Sequence, residues 1–286
     1  MAEIDSRSDN AKAPEPRDSL TPPLDLLVDE HEEEVSENGR TVRAQGVYLL
    51  PNLFTTGALF AGFYAVIAAM RGDYESAPIA IFFAMLFDGL DGRVARITQT
   101  SSRFGEEYDS LSDMVSFGVA PALVVFVWAL GDLGKLGWSA AFIYVACAAL
   151  RLARFNAQIE STDKSYFTGL ASPSAAAIIA SMVWVCHDIG WLGPSLPREF
   201  ALLVCALTAI VGILMITNIP YYSFKGIDRG RVPFVVILAV VLLFGLITLD
   251  PPVFMLTGSL LYALSGPVML VWNRRRGRNG VAPTEP

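Results

Sequence analysis

The chain has 286 residues, 53% of them hydrophobic and only 17% charged, with a mean hydropathy of +0.47. The surface of a soluble globular domain needs more charge than this, so the composition excludes that class and points to a membrane-embedded protein. The net charge of −7 resides in residues 1–45, where twelve acids face five bases; the rest of the chain holds sixteen of each, and no nucleic-acid partner is expected.

Residues 1–40 are rich in Pro, Ser, Glu and Asp and carry the run Asp29-Glu30-His31-Glu32-Glu33-Glu34. Such a segment cannot bury enough apolar surface to offset its ordering entropy, so a disordered acidic tail is expected. It has no basic start followed by an apolar stretch and does not read as a signal peptide. Residues 41–275 read as one transmembrane domain, and 276–286 as a short C-terminal tail.

About 20 mostly apolar residues cross a bilayer. That template predicts eight helices, over 48–70, 76–96, 109–131, 137–157, 170–188, 199–217, 232–249 and 252–272. The fold class is therefore all-α integral membrane. Asp250-Pro251-Pro252 is so short a link that the last two helices form a tight hairpin. Basic residues at the helix ends are strongly asymmetric. Fifteen, from Arg40 and Arg43 through Arg93, Arg96 and Arg103 to Arg274–Arg276 and Arg278, fall on one side, against Arg71, Lys135 and Arg198 on the other. The positive-inside rule puts both termini and the basic loops in the cytoplasm, in a cell membrane. Cys147, Cys186 and Cys205 sit inside apolar runs without metal-site spacing and read as small fillers, and His31 and His187 are isolated.

The second helix ends in Phe87-Asp88-Gly89-Leu90-Asp91-Gly92-Arg93-Val94-Ala95-Arg96, and the third begins with Gly105-Glu106-Glu107-Tyr108-Asp109-Ser110-Leu111-Ser112-Asp113. Asp88 and Asp91 share one helical face, as do Asp109 and Asp113. A short loop joins the two helices, so antiparallel packing is expected to bring the faces together. Four converging carboxylates repel unless neutralised, and Mg²⁺ or Mn²⁺, hard cations that prefer oxygen and bridge to phosphates, fit the need. Two such ions form a known clamp for displacement at phosphorus. Gly92 and Gly105 allow a nucleotide close to the backbone, and Arg96 suits a phosphate. A cation transporter is the alternative from another class, but its acids belong near the bilayer midplane and these lie at the boundary.

The segment resembles the CDP-alcohol phosphotransferases, whose signature D-x₂-D-G-x₂-A-R-x₈-G-x₃-D-x₃-D is matched at every fixed position by Asp88, Asp91, Gly92, Ala95, Arg96, Gly105, Asp109 and Asp113. The resemblance implies a homodimeric fold with a six-helix core and an active site open to the cytoplasm. It also implies that Asp88, Asp91 and Asp109 bind two metal ions, with Asp113 a metal ligand or the general base. Gly92, Ala95, Arg96 and Gly105 would line the CDP site with Asp91, joined by Asn52 and Thr55 from the first helix. Further segments are similar to the phosphatidylserine synthase branch: Leu50-Pro51-Asn52-Leu53-Phe54-Thr55-Thr56, Arg151-Leu152-Ala153-Arg154-Phe155-Asn156, Ser223-Phe224-Lys225, and Gly169-Leu170-Ala171-Ser172-Pro173, where Ala171 replaces the branch's usual proline.

The implied reaction is direct attack of the L-serine hydroxyl on CDP-diacylglycerol, releasing CMP, with Asp113 taking the proton. Serine is a zwitterion whose carboxylate needs a cation, and Arg151, Arg154, Asn156 and Lys225 are the candidates. Glycerol 3-phosphate would also want cations, which leaves a phosphatidylglycerophosphate synthase as the runner-up. The acyl chains stay among the membrane lipids.

Overall fold

The computed structural model describes residues 35–37, 40–42, 49–98, 103–158, 167–191, 196–221, 242, 245 and 247–278. The chain divides into two units, Met1–Gln45 and Gly46–Pro286. In the first, β1 (Val35–Glu37) pairs antiparallel with β2 (Arg40–Val42), with Ser36 opposite Thr41. That short pairing falls at the end of the segment expected to lack regular structure.

The second unit is a helical bundle. Its elements are α1 (Leu49–Met70), α2 (Ser76–Thr98), a continuous third helix, α5 (Lys135–Gln158), α6 (Ser172–Asp188), α7 (Arg198–Ile216) and α8 (Pro251–Arg278). The third helix runs as α3 (Arg103–Asp113), a π-helical segment (Met114–Val119), α4 (Ala120–Val125), a second π segment (Phe126–Leu130) and a 3₁₀ turn (Gly131–Leu133). A minimal antiparallel pair, β3 (Phe167–Thr168) and β4 (Pro220–Tyr221), is the other strand structure among the described residues.

Five of these stretches are long and apolar enough to cross a membrane: Pro51–Met70, Phe104–Leu133, Lys135–Ala157, Arg198–Ile216 and Pro251–Leu270. The expected count of eight is therefore not reached among the described residues. Asp88, Asp91, Arg93 and Arg96 interrupt the apolar run of α2, and α6 has 17 residues. The predicted helix over 232–249 lies largely outside the described residues.

The helices pack as membrane helices do, through small residues. Ala58, Ala61, Ala65, Ala68 and Ala69 of α1 are buried, as are Ala77, Ala80, Ile81 and Ala84 of α2, its most extensive partner. A Cβ at Gly62 would fall 2.7 Å from the Ser116 Cα, so α1 and the first π segment cross almost backbone to backbone. There Ser112 and Ser116, one turn apart, donate to the carbonyls of Thr55 (3.1 Å) and Ala58 (3.0 Å). Large apolar side chains point outward instead, Phe60, Phe63 and Leu203 being 68%, 58% and 64% exposed. Such a surface is stable against lipid. The protein is a multi-pass membrane protein. Outside the spans, Ser76 N–H donates to Asp73 Oδ1 at 2.9 Å at the start of α2, and this bond holds the Asp73 carboxyl below its ordinary range.

Among the described residues, Pro121 and Pro267 lie beyond the first turn of a continuous helix, and a tyrosine answers each. Pro121 has no N–H to offer the turn before it, and the Phe117 carbonyl there accepts from the buried Tyr144 hydroxyl of α5 at 3.0 Å. Pro267 likewise leaves the Ala263 carbonyl of α8 without its helical donor, and Tyr221 donates to it at 3.1 Å. An orphaned carbonyl in a bilayer is costly, so these bonds make the prolines tolerable. The π segment that begins directly after Asp113 leads into the first of these proline sites.

Candidate active site

The site is built where the C-terminal part of α2 meets the start of the third helix. Asp88, Asp91 and Asp109 each present a carboxylate oxygen, and the three oxygens lie within 4.8 Å of one another. Asp113, one turn below Asp109, is in hydrogen-bonding contact with Asp88. All four aspartates of the predicted constellation are thus brought together.

The way they meet differs from the expectation. α2 and α3 are not an extensive packing pair; each packs on α1, which carries both to the site. Like charges resist closing the seam between the two acidic faces, whereas the small-residue face of α1 offers a tight surface to both. α1 also contributes a polar contact. Thr55, only 3% exposed, donates to Asp91 Oδ2 at 2.8 Å, with the Pro51 carbonyl of its own helix as an alternative acceptor at 3.2 Å. Thr56 and Tyr108 share a hydrogen bond of 2.9 Å, and Thr56 also donates to the Asn52 carbonyl at 2.7 Å. Neither Tyr108 nor Thr56 was singled out in the sequence.

Three clustered carboxylates, with Asp113 against Asp88 and one of Asp91's oxygens already bonded to Thr55, form an all-oxygen donor set suited to a hard divalent cation. Gly92 and Ala95 follow on α2 and Gly105 lies in the first turn of α3, all beside the cluster in sequence. Arg96 is helical, but its side chain is outside the described set.

Of the four residues predicted to receive serine, the three described ones each bond to a different partner. Arg151, partly buried, donates from Nη1 to Ser172 Oγ at 2.9 Å and interacts electrostatically with Asp113. Arg154 instead reaches the Ile216 carbonyl at the C-terminus of α7 (3.5 Å), where a cation suits the helix end. Asn156 exchanges hydrogen bonds with Ser110, 3.0 Å from its Nδ2 and 3.3 Å from its Oδ1, and ties α5 to α3. Lys225 lies outside the described residues. Among the described ones, Arg151 interacts with Asp113, and Asn156 bonds to Ser110, the residue after Asp109.

Ser172 is delivered by the β3–β4 pair. Gly169 (φ 85°) donates to the Ile219 carbonyl at 2.9 Å, and a side chain there would strike the Met215 and Thr217 carbonyls, so only glycine fits. Ala171 has φ −62° and ψ 138°, angles that proline adopts without strain. The departure from the branch's usual proline therefore leaves the local path unchanged.

The fold and site are those of a multi-pass membrane protein whose second and third helices bring together an oxygen-donor set able to hold divalent cations. Residues 48–216 match the model of the CDP-alcohol phosphatidyltransferase family. The chain is 34% identical over 192 residues to a Helicobacter pylori protein named CDP-diacylglycerol–serine O-phosphatidyltransferase, covering 67% of this chain and 79% of that one. It is 38% identical over 152 residues to a Saccharomyces cerevisiae protein of the same name, covering 48% of this chain and 54% of that one. It is also 33% identical over 183 residues to an archaetidylserine synthase of Methanothermobacter thermautotrophicus, covering 63% of this chain and 72% of that one. The chain belongs to the CDP-alcohol phosphatidyltransferase family.

Proposed function

We propose that this protein transfers the phosphatidyl group of CDP-diacylglycerol to the hydroxyl of L-serine and releases CMP. The observation that carries the reading is Arg151, a cation with a buried Nε that is bonded to Ser172 and interacts with Asp113 beside the aspartate cluster. A cation so placed suits an acceptor that brings its own negative charge to the carboxylate-lined site.

Asp88, Asp91, Asp109 and Asp113 would hold two divalent ions, Mg²⁺ or Mn²⁺, which when bound supply positive charge to the pyrophosphate and the displaced oxygen. Thr55 orients Asp91 for that task. Asn52, Gly92, Ala95, Arg96 and Gly105 line the CDP moiety, the glycines by leaving room for phosphate. Arg151 orients serine through its carboxylate. The serine oxygen forms the new bond to the lipid-bearing phosphorus, the bond from that phosphorus to the CMP oxygen breaks, and the hydroxyl proton passes to Asp113. The acyl chains remain in the bilayer against the outward-facing apolar side chains. In this reading the protein is a homodimer of the cell membrane, with termini and active site on the cytoplasmic, arginine-rich side.

The test is incubation of the purified protein with CDP-diacylglycerol, Mg²⁺ or Mn²⁺, and labelled serine, glycerol 3-phosphate or inositol phosphate in turn. Serine-dependent release of CMP with label in the lipid phase is expected. Transfer to glycerol 3-phosphate in place of serine would establish the runner-up, and cation flux without transfer the transporter.

A further inference from the structure

We propose that Tyr262 on α8 and Ser172 at the start of α6 complete the acceptor pocket with Arg151, gripping the acceptor's carboxylate. This assignment rests on the acceptor reading above and adds two residues that lie outside the signature segment.

Three observations support it. The Nε of Arg151 is buried and has no hydrogen-bond partner among the described residues, although its Nη1 is bonded to Ser172. A guanidinium donor left unmatched in a buried setting is uncommon, and it is the group a ligand carboxylate would satisfy. Second, Ser172 is 1% exposed and its oxygen accepts from Arg151, so the hydroxyl keeps its own proton to donate to a second acceptor at the same place. Third, Tyr262 stands on α8, which packs against α6, the helix that Ser172 begins.

The surroundings fix this trio. The ring of Tyr262 lies 5.5 Å, centroid to centroid, from that of Tyr221, and Tyr221 is anchored on the Ala263 carbonyl. Gly266 packs so tightly on the Tyr221 ring that a Cβ there would clash, which holds α8 in register. Tyr221 also belongs to the β3–β4 pair that delivers Ser172. One tyrosine thus coordinates the two elements that carry Tyr262 and Ser172. The unmatched Arg151 Nε and the Ser172 hydroxyl, with the Tyr262 hydroxyl on the neighbouring helix, would supply the donors that an acceptor carboxylate takes.

The experiment uses the full-length protein in detergent or liposomes at saturating metal. KM is measured separately for serine and CDP-diacylglycerol, and serine is compared with serinol, which keeps the ammonium and hydroxyl but lacks the carboxylate. Tyr262→Phe and Ser172→Ala are each expected to raise the serine KM about tenfold or more, the size expected for losing a hydrogen bond to a charged group. The donor KM should stay within about twofold, and the preference for serine over serinol should shrink in both variants. Tyr262→Phe removes one oxygen and leaves the ring on Tyr221, and Ser172→Thr, which retains the hydroxyl, should stay near wild type. An unchanged serine KM, or an equal rise for both substrates with the serinol ratio intact, would overturn the assignment. If wild-type protein uses glycerol 3-phosphate and not serine, the acceptor reading fails, and the pocket stands or falls by whether the same variants raise the KM for that acceptor alone.

Discussion

Thr55 on α1 and Asp91 on α2 are joined by a buried hydrogen bond of 2.8 Å, 36 residues apart in the chain. The bond occupies part of one carboxylate oxygen and fixes the orientation of the group, which then faces Asp88 and Asp109. Partners of this kind are worth about 10–100-fold in metal affinity. Thr55→Val should therefore raise the concentration of Mg²⁺ or Mn²⁺ needed for half-maximal activity by about that factor, with activity recovered at high metal. Thr55→Ser should behave like wild type. A metal titration of activity for the three proteins is the check, and an unchanged midpoint in the valine variant would remove Thr55 from the site.

Asp88 sits against both Asp91 and Asp113. Asp88→Asn removes a ligand and also one of four mutually repelling charges, so its two effects have opposite signs. Turnover should fall by more than the about 10²–10³-fold typical of losing one transition-state hydrogen-bond donor. Thermal stability in the absence of divalent metal should be equal to or above wild type. Near-normal activity at saturating metal would show that Asp88 is not a ligand.

The Tyr144 hydroxyl caps the Phe117 carbonyl in the turn that Pro121 leaves short of a donor. Tyr144→Phe removes a buried hydrogen bond to that carbonyl from a dry interior, a loss of about 1–3 kcal/mol. The expected result is a lower unfolding temperature in detergent, with part of the activity lost as well, since the π segment follows Asp113 directly. Pro121→Ala should partly rescue the variant by restoring a backbone donor. Equal stabilities for wild type and Tyr144→Phe would refute the capping role.

Much of this was legible in the sequence, and the misses have physical causes. Hydropathy placed α1, α2, α5, α6 and α7 within two residues of their observed ends, because in these segments the mostly apolar run and the helix start and stop nearly together. The third helix begins at Arg103, six residues before its predicted start, because Phe104-Gly105-Glu106-Glu107-Tyr108 is helical but polar. Hydropathy reads membrane depth, whereas helix formation depends on the backbone. For the same reason α8 continues through Arg274–Arg276 to Arg278. The four aspartates could be found because each pair is local and helical periodicity fixes its face. The acceptor group could not: Asn156 lies about 140° around the helix from Arg151, at 100° per residue, and so turns to Ser110. Ser172 lies in a segment similar to the branch, but its bond to Arg151 forms only through the tertiary fold, and no local pattern marks Tyr262.

Residues 1–45 form a unit separate from the one that carries every site residue. Deleting residues 1–38 should leave specific activity within a few-fold of the full chain. Complete loss of activity in a truncated protein that still migrates as a folded species would show that the acidic segment takes part in the chemistry.

Arg151→Ala is the variant that best separates acceptor from donor. Its guanidinium is partly buried, bonded to Ser172 and close to Asp113, whereas the CDP signature residues lie on α2 and α3. Leaving a buried carboxylate without its cation costs about 2–5 kcal/mol, which corresponds to a rise in serine KM of about 30-fold or more. Donor binding rests on the aspartates and their metal, so the KM for CDP-diacylglycerol should change little. Arg151→Lys keeps the charge but not the planar fork, and should recover only part of the loss because Lys cannot serve Ser172 and a ligand with the same geometry. Each substrate is varied in turn at saturating metal. A rise confined to the donor KM would move Arg151 into the nucleotide or phosphate site, and the serine cation would then have to be sought at Lys225.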